Sequence, residues 1–284
     1  MRKTFLIISM YSCTIILLSA QTPKDWLTLF NGRNLKNWNV KIHHHDYNVN
    51  VGKTFRVNRK QKMIEVSYDQ YGKFNDQFGH LYYEKPFSHF HLSMEYRFKG
   101  EVQEGSPSYV VLNSGVMYHS QDPQTMPKEQ DWPISIEMQF LADLGDGNPR
   151  PTGNMCSPGT DIEYQGKIYP GHCLNSTSPT IPKDHWVKAE LRVLGDSLIQ
   201  HIINGQVVLE YNHPTMGGGV ANRYDPAIWQ PGKPLKEGFI ALQSEGQPIE
   251  FRDIKLLNLK GCMDQKAKNY RSYYIENEQS SCKY

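Results

Sequence analysis

Strict alternation of apolar and polar residues constrains this chain more than any other feature. HLSMEYRF (91–98) sets Leu92, Met94, Tyr96 and Phe98 against polar neighbours, and WVKAELRV (186–193) repeats the pattern. PISIEMQF (133–140) places Ile134, Ile136, Met138 and Phe140 on one side and Ser135, Glu137 and Gln139 on the other. A period of two belongs to a strand with one buried face, because successive side chains leave the pleat on opposite sides. LIQHIINGQVVLEY (198–211) adds a hairpin around Asn204-Gly205, since both residues accept the left-handed conformation a tight hairpin turn needs. GFIALQSEG (238–246) and IEFRDIKLLNL (249–259) continue the series. SYVVLNSGVMYHS (108–120) reads as a longer strand with its break at Gly115. No long helical period and no internal repeat occurs. The expectation is an all-β antiparallel sandwich.

The first twenty residues stand outside that pattern. Arg2 and Lys3 precede the apolar run FLIISMYSCTIILL, and LLSA ends in a small residue before Gln21. This reads as a signal peptide over 1–20, cut after Ala20. The run is short of the roughly 20 residues a membrane span needs. A lipidated Cys13 is the weaker rival. The expected location is therefore the periplasm or the outside of the cell.

Export gives the cysteines a meaning. Cys156, Cys173, Cys262 and Cys282 remain after the cut, an even number that suggests disulfides. Three pairings are possible. The local ones, Cys156–Cys173 and Cys262–Cys282, are preferred because each closes a short loop. The expected organisation is a sandwich over 21–259 and a small disulfide-closed appendage over 260–284. Residues 142–185 and 213–236, rich in Gly, Pro, Ser and Asn, read as long surface loops, the first held by its disulfide.

Formal net charge is +2 with acids and bases mixed along the chain, which argues against a nucleic-acid or membrane-surface partner. The candidate chemistry lies on the polar strand faces. Glu137 and Gln139 share one face, Gln243 and Glu245 share another, and Asn113, Gly115, Met117 and His119 share a third if no bulge intervenes. Together they would offer carboxylates, amides and an imidazole to sugar hydroxyls, and two carboxylates suit acid–base work. His172 beside Cys173 is placed to reach such a cleft. The run His43-His44-His45 reads as an exposed loop, because adjacent residues do not converge on one ion. Asp143 and Asp146 read as turn residues rather than a Ca²⁺ loop. Arg252 is expected to pair with an acid.

LFNGRNLKNW, NSGVMYHS, PISIEMQF, the ING hairpin and EGFIALQSEGQPIEFRDIKL occur in an order that resembles the 3-keto-disaccharide hydrolase domain family over about residues 25–259. The resemblance implies a concanavalin-like or laminin-G-like jelly roll of two curved antiparallel sheets with a sugar site on the concave face. It implies a glycoside or oligosaccharide substrate oxidised at C3 by a separate sugar oxidoreductase. A base would remove the acidified C2 proton and the C1 substituent would leave. Glu137 would be the base or a metal ligand and His119 its acid–base partner. Asn113, Gln139, Gln243, Glu245 and His172 would grip the sugar. Relatives carry a His or Asp after LQ where this chain has Glu245. No cofactor follows from the residues; a divalent cation such as Ca²⁺ could stabilise the enolate, although no ligand set stands out. Two other readings stay open: a non-catalytic carbohydrate-binding module, and a glycoside hydrolase of the same fold using two carboxylates.

Overall fold

The computed structural model describes residues 25–284, so the signal-peptide and Cys13 readings lie outside the described residues. Two antiparallel sheets face one another, one of ten strands and one of seven, and the described residues hold short 3-10 turns but no α-helix. The inner faces close on one apolar core. Ile136, Met138 and Phe140 of the seven-stranded sheet meet Leu92, Met94 and Tyr96 of the ten-stranded one, and the Tyr96 and Phe140 rings stack at 4.1 Å. This is the jelly-roll sandwich that the alternation and the resemblance led us to expect.

One polar knot sits inside the core. His201 Nδ1 meets Gly153 O at 2.9 Å, and its Nε2 lies within hydrogen-bond distance of the Tyr118 (3.1 Å) and Tyr211 (2.9 Å) hydroxyls, which also contact one another. Burial lowers the His201 pKa to about 4, so the ring is neutral with its proton on Nδ1.

The seven-stranded sheet carries the outer face that matters. Its order runs Cys173–Leu174, Asn154–Cys156, Ile136–Leu141, Asn113–Ser120, Phe239–Ser244, Gly79–Tyr83 and Trp38–Ile42. Directly paired residues of antiparallel strands share a face. Register therefore sets two adjacent outer rows. Tyr82, Ala241, Met117, Glu137 and Cys156 form one. Lys41, His80 and Gln243, then Gly115, Gln139 and Asn154, form the next.

Several local expectations change. Ser108–Val110 is a 3-10 turn, and the strand starts only at Asn113, after Leu112 at φ 48°. The break is thus at Leu112, and Gly115 lies inside an unbroken strand. Residues 142–185 are not featureless: they hold the short strands Asn154–Cys156, Thr160–Tyr164, Lys167–Ile168 and Cys173–Leu174. The strand Gln206–Met216 likewise runs into the expected second loop. His43 is buried rather than exposed, with Nδ1 on Asp76 O (2.9 Å) and Nε2 on Glu129 O (3.1 Å). Asp143 and Asp146 accept from Gly145 N and Asn148 N, as turn residues do, and Arg252 pairs with Glu95 at 2.6 Å.

Both local disulfides are present. Cys156–Cys173 spans 17 residues and Cys262–Cys282 spans 20. The second closes a C-terminal segment whose Lys260–Gly261 and Glu276–Asn277 strands pair in parallel. Replacing both Cys156 and Cys173 by Ala is expected to cost about 3 kcal/mol through the freed loop. Urea unfolding checks this, and an unchanged midpoint would show the loop to be held by its strand pairing alone.

Candidate active site

A cleft of about 630 Å³ opens on the outer face of the seven-stranded sheet. Glu137 stands at its floor, and the reason its carboxyl fits is Gly115 on the next strand. A methyl at Gly115 would overlap Glu137 Oε1 and lie 2.8 Å from its Cγ. The missing side chain is therefore a niche, and the Glu137 carboxyl lies across it, in the row of Gln243 and Gln139. Glu245 follows the Phe239–Ser244 strand directly and reaches the same cleft. Its Oε1 accepts from Gln243 Nε2 (2.6 Å) and Trp132 Nε1 (3.2 Å).

Both carboxyls are buried, at 6% and 3% exposure. Burial pushes both pKa values up, and the Glu245 charge pushes Glu137 further. Glu245 rises to about 7, held back by the Trp132 hydrogen bond. Two carboxyls buried in one cleft resist joint ionisation at neutral pH, because each loses its hydration and the Glu245 charge opposes that of Glu137. The two donors on Glu245 favour it as the ionised member and leave Glu137 as the acid.

The amides around them are oriented by their other partners. Asn113 Nδ2 donates to Tyr109 O (3.2 Å), which leaves its buried Oδ1 without a partner. Gln243 spends its Nε2 on Glu245, and its Oε1 is likewise without one, as is Glu245 Oε2. Asn154 Oδ1 accepts from Ser176 N (2.9 Å), so its Nδ2 donates to Gln139 Oε1 (3.1 Å) and Gln139 Nε2 is left to donate. Three buried oxygen acceptors at or behind the floor thus lack donors, and a group that reached them would have to bring donors or positive charge.

The structure brings Glu137, Gln139, Asn113, Glu245 and His172 to one cleft. Gln243 lies fully buried behind Glu245. His119 is not there. The strand bulges between Met117 and Ser120, His119 sits at φ 47°, and its Nε2 meets Gly195 O at 2.9 Å. It lines a separate cavity with Asp122 and Lys236. The expected shared face ends at Met117, and His119 cannot act with Glu137.

Trp132, Tyr109 and Arg150 are among the cleft residues that escaped the sequence reading. Tyr109 is 55% exposed at the mouth, an aromatic face open to a pyranose ring. The opposite wall includes the Cys156–Cys173 disulfide and His172. Two clusters have metal-like composition, one of them in this wall and the other at His43, His44 and Glu129. Both cysteines of the first are oxidised, and His43 of the second spends both ring nitrogens on carbonyls, so neither offers a ligand set.

Residues 25–257 match the 3-keto-alpha-glucoside-1,2-lyase-like domain family. The chain belongs to this family. Solved structures similar to this chain include two Parabacteroides distasonis proteins provisionally named glycosyl hydrolases. The first is 20% identical over 81% of this chain and 98% of its own, with a TM-score of 0.48. The second is 16% identical over 84% and 98%, with a TM-score of 0.49. A Bacillus subtilis protein of unknown function with a galectin-like fold is 11% identical over 82% and 94%, with a TM-score of 0.42. No curated protein matches. Family membership makes this a carbohydrate-active protein.

Proposed function

We propose that this protein cleaves 3-keto-glycosides by elimination, with Glu245 as base and Glu137 as acid. One observation supports it above the rest: two buried carboxyls in one cleft, only one of which receives hydrogen-bond donors. A keto group at C3 acidifies the C2 proton. Glu245 takes that proton and the electron pair forms the enolate. Collapse of the enolate makes the C1–C2 double bond, restores the ketone and breaks the C1–O bond, and the leaving oxygen takes the Glu137 proton. Water then adds at C1, so the net result is hydrolysis. A base with a pKa of about 7 suits work at neutral pH. Gln139 Nε2 is the one oriented amide donor on the floor, suited to a sugar oxygen. The roles differ from those the resemblance implied, where Glu137 was the base or a metal ligand and His119 its acid–base partner.

A divalent cation of the Ca²⁺ type also fits the donor set, because Asn113 Oδ1 and Glu245 Oε2 are hard oxygens without partners beside Glu137. When bound, it would polarise the keto oxygen. The substrate calls for an upstream enzyme that oxidises a glycoside at C3. Two disulfides and the leader-like N-terminus support an exported protein, periplasmic or extracellular.

The test is product release from a 3-keto-glucoside and from the same glucoside unoxidised, each with and without a chelator. Cleavage of the keto substrate alone is the expected result, and loss of it with chelator would add the cation. Cleavage of the unoxidised glucoside would move the pair to ordinary two-carboxylate hydrolysis. Sugar binding without any cleavage would make the cleft a recognition site and end the enzyme reading.

A further inference from the structure

Among the described residues, Arg150 is the one basic side chain with a permanent charge in the cleft wall, and it is held without an acid. Its Nη1 donates to Leu112 O (3.2 Å) and Ala142 O (2.7 Å), and its Nη2 to Val111 O (2.7 Å). All three acceptors are neutral carbonyls. The one acid whose charge reaches it is Asp146, an exposed residue whose Oδ1 already accepts from Asn148 N. A guanidinium has five N–H donors. Nη1 spends both of its protons on carbonyls and Nη2 spends one. That leaves the Nε–H and one Nη2 proton, the side-on edge with which arginine forks a carboxylate or sulfate through two parallel bonds.

Position says where that group would sit. Arg150 is tied to carbonyls beside Leu141 and Asn113, which pair across the sheet. The Glu137 carboxyl lies in the Gly115–Gln139 row, two residues along the same strands. Two residues of strand span about 7 Å, close to the width of one sugar ring. A saccharide with its reacting carbon at the carboxyl pair would bring the C6 substituent, or the neighbouring sugar, to the arginine.

We propose that Arg150 is an anion-recognition point and that this cleft takes acidic saccharides, whose carboxylate or sulfate ester docks on the free edge of its guanidinium. This rests on the carbohydrate reading of the cleft and adds the class of sugar. It gives the cleft a different character at each end, with the carboxyl pair at the reacting centre and a cation one ring away. It also gives the bond pattern of Arg150 a purpose beyond tying the loop: neutral carbonyls hold the group in place without consuming its charge.

The experiment is calorimetric titration of the full chain with methyl glucoside, methyl glucuronide and methyl glucoside 6-sulfate, at low and at high salt. None of these carries a keto group, so elimination does not consume them. The glucuronide, the sulfate ester or both should bind on the order of 10- to 100-fold more tightly than the neutral glucoside, and salt should shrink that gap. Whichever anion wins identifies the source of the charge. Arg150→Lys should keep part of the preference and Arg150→Met should lose it, with the neutral glucoside as internal control for an intact cleft. Equal affinities for all three ligands in the wild-type protein would overturn the proposal and leave elimination standing. An acidic preference that survives Arg150→Met would also overturn it. An acidic preference together with no cleavage of any 3-keto substrate would retain it and remove the elimination reading.

Discussion

Glu245→Gln should lose activity and gain stability together. Removal of a general base typically costs 10²–10⁴ in rate, so turnover of a 3-keto-glucoside should fall by about that much. The amide oxygen of the introduced glutamine can still accept from Gln243 and Trp132, so the fold should persist. Stability moves the other way for a reason of sign. The folded pKa of Glu245 is raised, from 4.5 to about 7, so the folded protein holds a proton that the unfolded chain releases. Wild-type stability is therefore intact below about pH 4.5 and declines as pH rises toward 7. The variant escapes that decline, and by neutral pH its advantage should be on the order of 2–3 kcal/mol. Thermal unfolding of both proteins from pH 4 to 8 checks it. Parallel curves would mean that the carboxyl is not buried as the structure has it.

Gly115→Ala should damage the reaction from a residue that has no chemistry of its own. The added methyl occupies the niche of the Glu137 carboxyl and must push the acid away from the leaving oxygen. Displacement by about 1 Å can cost 10²-fold, and the loss should fall mainly on kcat rather than KM. The backbone at Gly115 is not left-handed, so alanine itself is tolerated and the unfolding midpoint should move little. Activity within threefold of wild type would show that the carboxyl works from another position.

Much of this was legible in the sequence, for reasons that differ between fold and site. Burial against a facing sheet imposes a period of two, and the stretches around Met94, Leu191 and Met138 show it plainly. The Asn204-Gly205 turn also stands as read, with φ of 48° and 82°. Glu137, Gln139 and Glu245 could be found because they sit on or just past regular strands, where spacing tells direction. His119 was misplaced because a bulge adds a residue and turns the side chain away, and alternation carries no mark of it. Trp132, Tyr109 and Arg150 come from loops and a 3-10 turn, where no period links position to direction. Gly115 suggested a break, yet what it supplies is room for a neighbour.

The Cys156–Cys173 bridge has a practical consequence. It forms one wall of the cleft, but the facing core of the sandwich contains neither sulfur. Material produced in a reducing cytoplasm should therefore pass the usual tests of folding, with a normal circular-dichroism spectrum and a cooperative melt, while its cleft wall is slack. A preparation judged by those tests alone could be discarded as inactive when all it lacks is an oxidant.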